Sequence, residues 1–199
     1  MRVLRFDALD STNELAKRLW REGWTTEPVC IVAREQSAGR GSRGRVWLSP
    51  RDAGVYASLL QPVPCDADPR VVTPPISTDF TLAAGVACAA ALSEGFGLAV
   101  TVKPVNDLIL GGRKLGGILV EGLVEAGRLV AVITGVGVNV RDVPLELPPG
   151  SAPSTSLEQH LPRACMAAIE PAQLAERLMS RALELQAEIF RGRAAPNWP

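Results

Sequence analysis

The sequence predicts an α+β protein: a mixed, largely antiparallel sheet with helices packed on it. Three observations lead there. Short apolar runs bounded by Gly, Pro, Asn and Asp fill most of the first two thirds of the chain. The turns at Gly111-Gly112-Arg113 and Glu125-Ala126-Gly127 are tight enough to join neighbouring strands as hairpins. Three longer segments repeat apolar residues at helical spacing.

Residues 3–9 read as the first strand. A helix follows from Asp10-Ser11-Thr12-Asn13-Glu14, where Ser11 and Glu14 have the Ser-x-x-Glu spacing of a capping box. Leu15, Ala16, Leu19 and Trp20 form its apolar stripe, and Gly23 ends it. Residues 29–34 are a second strand, 46–48 a short strand stopped by Pro50, and 54–61 a third. After a Pro- and Asp-rich surface loop at 62–75, Thr78 or Asp79 caps a long alanine-rich helix reaching about Gly95. Strands at 98–103, 114–121 and 129–140 come next. A Pro-rich loop at 143–154, a short helix at 155–161, an amphipathic helix at 171–190 and a tail at 191–199 complete the chain.

A chain of 199 residues is long enough for one sizeable core. Lys+Arg and Asp+Glu balance at 21 each, so no overall field gathers nucleic acid or an anionic membrane, and any basic site must be local. The longest apolar run, 80–92, is too short to cross a bilayer, and the N-terminus has no secretory pattern. A cytoplasmic location is the expectation. Four cysteines stand far apart without a Cys-x-x-Cys pair, which points away from disulfides and zinc. His160 is the single histidine, so mechanisms that need a histidine base are disfavoured.

Candidate chemistry gathers at residues 39–45, Gly-Arg-Gly-Ser-Arg-Gly-Arg, with Trp47 close behind. Three glycines let backbone N–H groups approach a ligand, and Arg40, Arg43 and Arg45 supply fixed positive charge. The Gly-x-Gly-x-x-Gly within it is not followed by a helix, so a dinucleotide fold is not indicated. Gly116, Gly117, Gly135 and Gly137 lie on two neighbouring strands, where glycine marks a place something approaches the backbone; a ligand bed is the expectation. Ser11 and Thr12 offer hydroxyls and free N–H groups at a helix start, and Gln36 offers an amide just before the loop.

These segments together resemble the catalytic domain of the biotin protein ligases, the biotin-[acetyl-CoA-carboxylase] ligases. The resemblance rests on Asp10-Ser11-Thr12-Asn13, Gln36, the stretch from Gly39 to Trp47, Val102-Lys103 with Asn106-Asp107, Arg113-Lys114-Leu115-Gly116-Gly117-Ile118-Leu119-Val120-Glu121, and Gly135 to Asn139, in that order. It implies the class II synthetase-like biotin/lipoate ligase fold over residues 1–190. It also implies an ATP-dependent enzyme, with Mg²⁺, that forms biotinoyl-5′-AMP and passes the biotinoyl group to a lysine of the biotin carboxyl carrier domain of acetyl-CoA carboxylase. By position in the family pattern, Ser11, Thr12, Gln36, Gly39, Arg40, Lys114, Gly117 and Gly135 would hold biotin. Arg40, Arg43, Arg45, Trp47, Asn106, Lys114 and Asn139 would hold the nucleotide. Lys114, Arg40 and Asp107 would be catalytic, Asp107 also being the candidate magnesium ligand.

Two departures from the family pattern stand out. Ser42 occupies a position where the family usually has arginine or lysine, and the usual Lys-Trp-Pro-Asn-Asp is Lys103-Pro104-Val105-Asn106-Asp107. The chain starts at the first catalytic strand, so neither the DNA-binding winged helix nor operator binding is expected. The family's C-terminal β-barrel would begin about where the chain stops. A sheet edge left open makes a homodimer a reasonable expectation. Two alternatives stand beside the ligase: a non-catalytic biotin or biotinoyl-AMP binder, and a lipoate or octanoate ligase-transferase of the same fold.

Overall fold

The computed structural model describes residues 1–143 and 152–193, so the tail beyond Arg193 and most of the Pro-rich loop lie outside the described residues. Seven strands form one sheet: β1 (Arg2–Phe6), β2 (Val29–Ala33), β3 (Gly54–Pro62), β4 (Thr101–Lys103), β5 (Asp107–Leu110), β6 (Arg113–Glu125) and β7 (Arg128–Asn139). Their order is β1-β2-β3-β7-β6-β5-β4. Only β1 and β2 are parallel, and every other neighbouring pair is antiparallel. The class is the mixed, largely antiparallel α+β expected, with β1 and β4 as its edges.

Side-chain alternation on β2, β3 and β7 gives the sheet two working faces. Cys30, Val32, Val55, Leu59 and Val138 point to a large core covered by α2 (Thr78–Phe96) and α4 (Pro171–Phe190). Ala131 and Ile133 of β7, with Val29, Ile31 and Leu60, point the other way and pack under α1 (Thr12–Arg21). Continuing along that second face, β7 places Gly135 against Asn13 of the first turn of α1, then Gly137 and Asn139, where among the described residues no helix covers the strand. The opening this leaves is the site.

Local chemistry accounts for the element ends and corrects several expectations. The capping box at α1 does not form: Ser11 is the N-cap but makes no side-chain bond there. The Thr12 N–H instead donates to Gln36 Oε1 at 2.8 Å, and Glu14 is drawn to Lys17 and Arg40. A distant amide thus caps this helix, because Glu14 finds cations closer to hand. Helix α2 is capped by Ser77, whose hydroxyl accepts from Asp79 N at 3.1 Å, rather than by Thr78 or Asp79, and it ends on left-handed Gly97. Residues 46–48 form no strand; the segment makes only single bridges, Arg40 with Val46 and Gln36 with Ser49. The short helix expected at 155–161 is one 3-10 turn, Leu157–Gln159, followed by an unanticipated α3 (Arg163–Ala167). The β6–β7 hairpin turns on Ala126 and Gly127, both at positive φ. Among the described residues no helix is long and apolar enough to cross a membrane.

Candidate active site

Against the uncovered part of β3, β7 and β6 lies a cavity of about 420 Å³. That is room for a ligand of drug-like size. The start of α1 supplies Ser11, Thr12 and Asn13, and the Gly/Arg segment supplies Arg40, Ser42, Arg45 and Trp47. From β5, β6 and β7 come Asp107, Lys114, Gly117, Gly135, Gly137 and Asn139, with Gln36 and Asn106 between them. Among the described residues three cations line it against a single carboxylate, Asp107, so this part of the cavity favours an anion.

Most of the predicted residues therefore converge, and two do not. Gly39 sits behind the wall: a Cβ there would lie 2.3 Å from the Trp47 carbonyl oxygen and 2.7 Å from Ser49 Oγ, so its role is close packing. Arg43 is exposed, in a left-handed conformation at φ 58°, and is absent from the lining.

Arg40 and Lys114, the two cations expected to act together, share this cavity, and each is held by carboxylates of the protein. Arg40 Nη1 pairs with Glu14 and lies 3.3 Å from Glu121 Oε1, while Glu121 also takes Lys17 Nζ at 2.9 Å. The Lys17 ammonium, aided by Arg40, holds the Glu14 carboxyl below its ordinary range. Lys114 Nζ is 2.6 Å from Asp107 Oδ1 and 5.6 Å from the centroid of the Trp47 ring. A β-bulge explains how Lys114 reaches the cavity. The β5–β6 register slips between Leu108 and Ile109, so Lys114 and Gly117, three residues apart, share a face, and a Cβ on Gly117 would be 3.7 Å from Lys114 Nζ.

Three of the four strand glycines, Gly117, Gly135 and Gly137, line the cavity, and the protein's own side chains approach two of them. A Cβ on Gly137 would be 2.4 Å from Trp47 Cε2, and one on Gly135 would be 2.3 Å from Asn13 Oδ1. Gly116 faces the other side, toward Leu108. The indole thus packs directly on Gly137 of β7, its buried Nε1 without a hydrogen-bond partner among the described residues.

Ser42 is engaged in the loop. Its hydroxyl accepts from Asn106 Nδ2 at 3.1 Å and Arg45 Nη2 at 3.0 Å, tying the Gly/Arg segment to the β4–β5 turn. Asn106 also donates to the Ile118 carbonyl at 3.1 Å, and Asn139 donates to the Thr155 carbonyl at 2.9 Å. Both asparagines thus help shape the wall. Sequence reasoning misses Ser58, and it assigns no site role to Asn13, Gly137 or Glu121, although Asn13 and Glu121 stand in the family motifs and Gly137 among the four strand glycines. Nothing in the sequence links Glu121 to a helix more than a hundred residues earlier.

The model of one family, described as the biotin/lipoate A/B protein ligase family, matches residues 5–139. The chain belongs to that family. Among its ligase relatives, the bifunctional ligase/repressor BirA of Bacillus subtilis is 36% identical over 148 residues, 73% of this chain and 42% of the relative. The biotin-[acetyl-CoA-carboxylase] ligase of Paracoccus denitrificans is 34% identical over 161 residues, 75% of this chain and 60% of the relative. The chain thus spans 42% and 60% of these relatives, under two thirds in each case. In fold it resembles the biotin protein ligase of Leishmania major in complex with biotinyl-5-AMP, with a TM-score of 0.72 and 24% identity over 96% of this chain and 77% of that one. It also resembles the Aquifex aeolicus biotin protein ligase in complex with biotin and ATP, with a TM-score of 0.70 and 24% identity over 95% and 72%.

Proposed function

We propose that this chain activates biotin with ATP as biotinoyl-5′-AMP and transfers the biotinoyl group to a lysine of a biotin carboxyl carrier domain. The observation that carries this is the convergence of Arg40 and Lys114 on one cavity whose floor is polar and whose walls carry glycine backbone. The first step brings two anions together: a biotin carboxylate oxygen attacks the α-phosphorus, and the bond to the β-phosphate breaks to release pyrophosphate. Fixed cations lower that barrier by offsetting charge that gathers in the transition state. Lys114 and Arg40 are poised for this, because each already holds a carboxylate that a substrate anion would replace. Ser11, Thr12 and Gln36 would take the ureido end of biotin, and Arg45, Trp47, Asn106 and Asn139 would flank the nucleotide.

In the second step the carrier lysine nitrogen attacks the acyl carbon and AMP departs. Asp107, released from Lys114, would accept the amine proton. Among the described residues no cluster of His, Cys, Asp or Glu has metal-site spacing. Asp107, a carboxylate lining the cavity, fits as a residue that would hold magnesium, which when bound would supply charge neutralisation at the phosphates.

Incubation with ATP and a purified carrier domain tests the proposal. Covalent capture of biotin, but not lipoate or octanoate, on one carrier lysine is expected. Capture of the alkyl acids in its place would assign the chain to the other branch of the family.

A further inference from the structure

A buried chain of hydrogen bonds under the cavity floor joins four residues whose proton positions can be counted. Asn13 Nδ2 donates to Glu121 Oε2 at 2.8 Å. Because a carboxylate only accepts, the Asn13 amide cannot turn over, and its Oδ1 is left facing Ser58. Ser58 Oγ lies 2.5 Å from Asn13 Oδ1 and 2.7 Å from Thr12 Oγ1. Two such short oxygen–oxygen contacts each need a hydrogen between them, and Ser58 has one. It must go to Asn13 Oδ1, which has none, so the 2.7 Å contact with Thr12 is filled by the Thr12 hydrogen, in preference to the longer 3.1 Å approach of Thr12 Oγ1 to Gln36 Oε1. Gln36 is pinned as well: its Oε1 accepts the Thr12 backbone N–H, which turns its amide nitrogen toward Ser49 Oγ at 2.9 Å. Thr12 and Gln36 both line the cavity, whereas Ser58 is fully buried beneath it.

We propose that Ser58, Asn13 and Glu121 are specificity-determining residues that act by fixing the Thr12 hydroxyl. By locking the Thr12 hydrogen downward, they leave Thr12 as an acceptor, beside a spare N–H donor of Gln36. An adjacent acceptor and donor match one N–H and the C=O of a cyclic urea. The same pair opposes a ring that offers an oxygen in place of that N–H, and it gives an alkyl tail nothing. The inference rests on biotin being the acid bound, and it adds how this chain selects the ureido ring.

The test is calorimetric titration of the full chain with biotin and with its two carbamate analogues, each having one ring N–H replaced by oxygen. These differ from biotin in hydrogen-bond polarity with almost no change in bulk. The wild-type chain is expected to reject one analogue by roughly a hundredfold, since its oxygen would face the Thr12 lone pairs. In Ser58→Ala the Thr12 hydrogen loses its short acceptor and keeps only the 3.1 Å approach to Gln36 Oε1, so it can turn into the cavity and donate to the analogue oxygen, and the rejection should fall to about tenfold or less. Glu121→Gln lets the Asn13 amide turn over and should reduce it in the same direction. This side chain is partly exposed and so keeps the test open if the buried substitution impairs folding. A merely structural role would weaken biotin and analogue alike and leave their ratio unchanged, which would overturn the inference. So would a wild-type chain that binds biotin and both analogues equally. Failure of the wild-type chain to bind biotin at all would instead remove the biotin assignment itself, and this inference with it.

Discussion

At Lys114 the site shows how a cation is kept ready without a ligand. Its ammonium lies between the Asp107 carboxylate and the Trp47 ring, partly shielded from water, so its charge acts in a medium of lowered dielectric. Lys114→Ala should lower the rate of adenylate formation by roughly a hundredfold or more, with the melting temperature little changed. Gly137→Ala is a finer probe. Its methyl would overlap the indole, so Trp47 must leave β7, and a shift in tryptophan fluorescence with weaker biotin affinity is expected. An unshifted spectrum would show that the ring does not rest there. The Arg18 guanidinium beside Asp10 lowers its carboxyl from 3.8 to about 2. A depressed carboxylate stabilises the fold above its unfolded value and loses that contribution as pH falls toward the folded one. Asp10→Asn should therefore lower the melting temperature at pH 6, and the gap to wild type should close between about pH 4 and pH 2.

The elements were read more easily than their ends. Helix α4 matches its expected span because Pro171 opens it and its apolar stripe is long. The start of α1 misled, because a capping box was legible locally while the partner that fills the role, Gln36, lies 24 residues away. The bulge that turns Lys114 inward left no mark in the sequence, since it is a property of how two strands pair. At the β6–β7 turn, Ala126 holds a positive φ that disfavours a residue with a Cβ. Ala126→Asn, suited to a two-residue hairpin, should stabilise the chain by roughly 0.5–1 kcal/mol in urea unfolding. Gln186 of α4 is fully buried, donating to the Phe80 carbonyl at 3.0 Å and to Thr134 Oγ1 at 2.9 Å. Its replacement by Ala leaves those acceptors unpaired and opens a void, at a cost of roughly 2–4 kcal/mol in the same measurement.

At the scale of the whole molecule, one sheet separates two jobs. Its α2/α4 face buries a core of Val, Leu and Ala, and its other face is packed under α1 and then left open over glycines and a polar floor. The fold class was legible from strand and hairpin spacing, and two of the lining cations, Arg40 and Arg45, from the Gly/Arg segment; Lys114 entered through the family resemblance, and Arg43 of the segment does not reach the cavity. The internal carboxylates that hold those cations were not, because Glu14 and Glu121 look like ordinary surface residues until the sheet brings them together. The cysteines offer a check on this arrangement. Cys30 and Cys88 are buried, with thiols pushed up to about 12 by burial, whereas Cys65 and Cys165 are exposed. A thiol reagent should label two positions in the folded chain and four after unfolding.

The most direct measurement of the central claim, that Arg40 and Lys114 join an acid to a nucleotide in one cavity, is ATP–pyrophosphate exchange. Exchange that requires biotin and is lost in Lys114→Ala is the predicted result. Exchange that ignores biotin, or that survives the substitution undiminished, would contradict it.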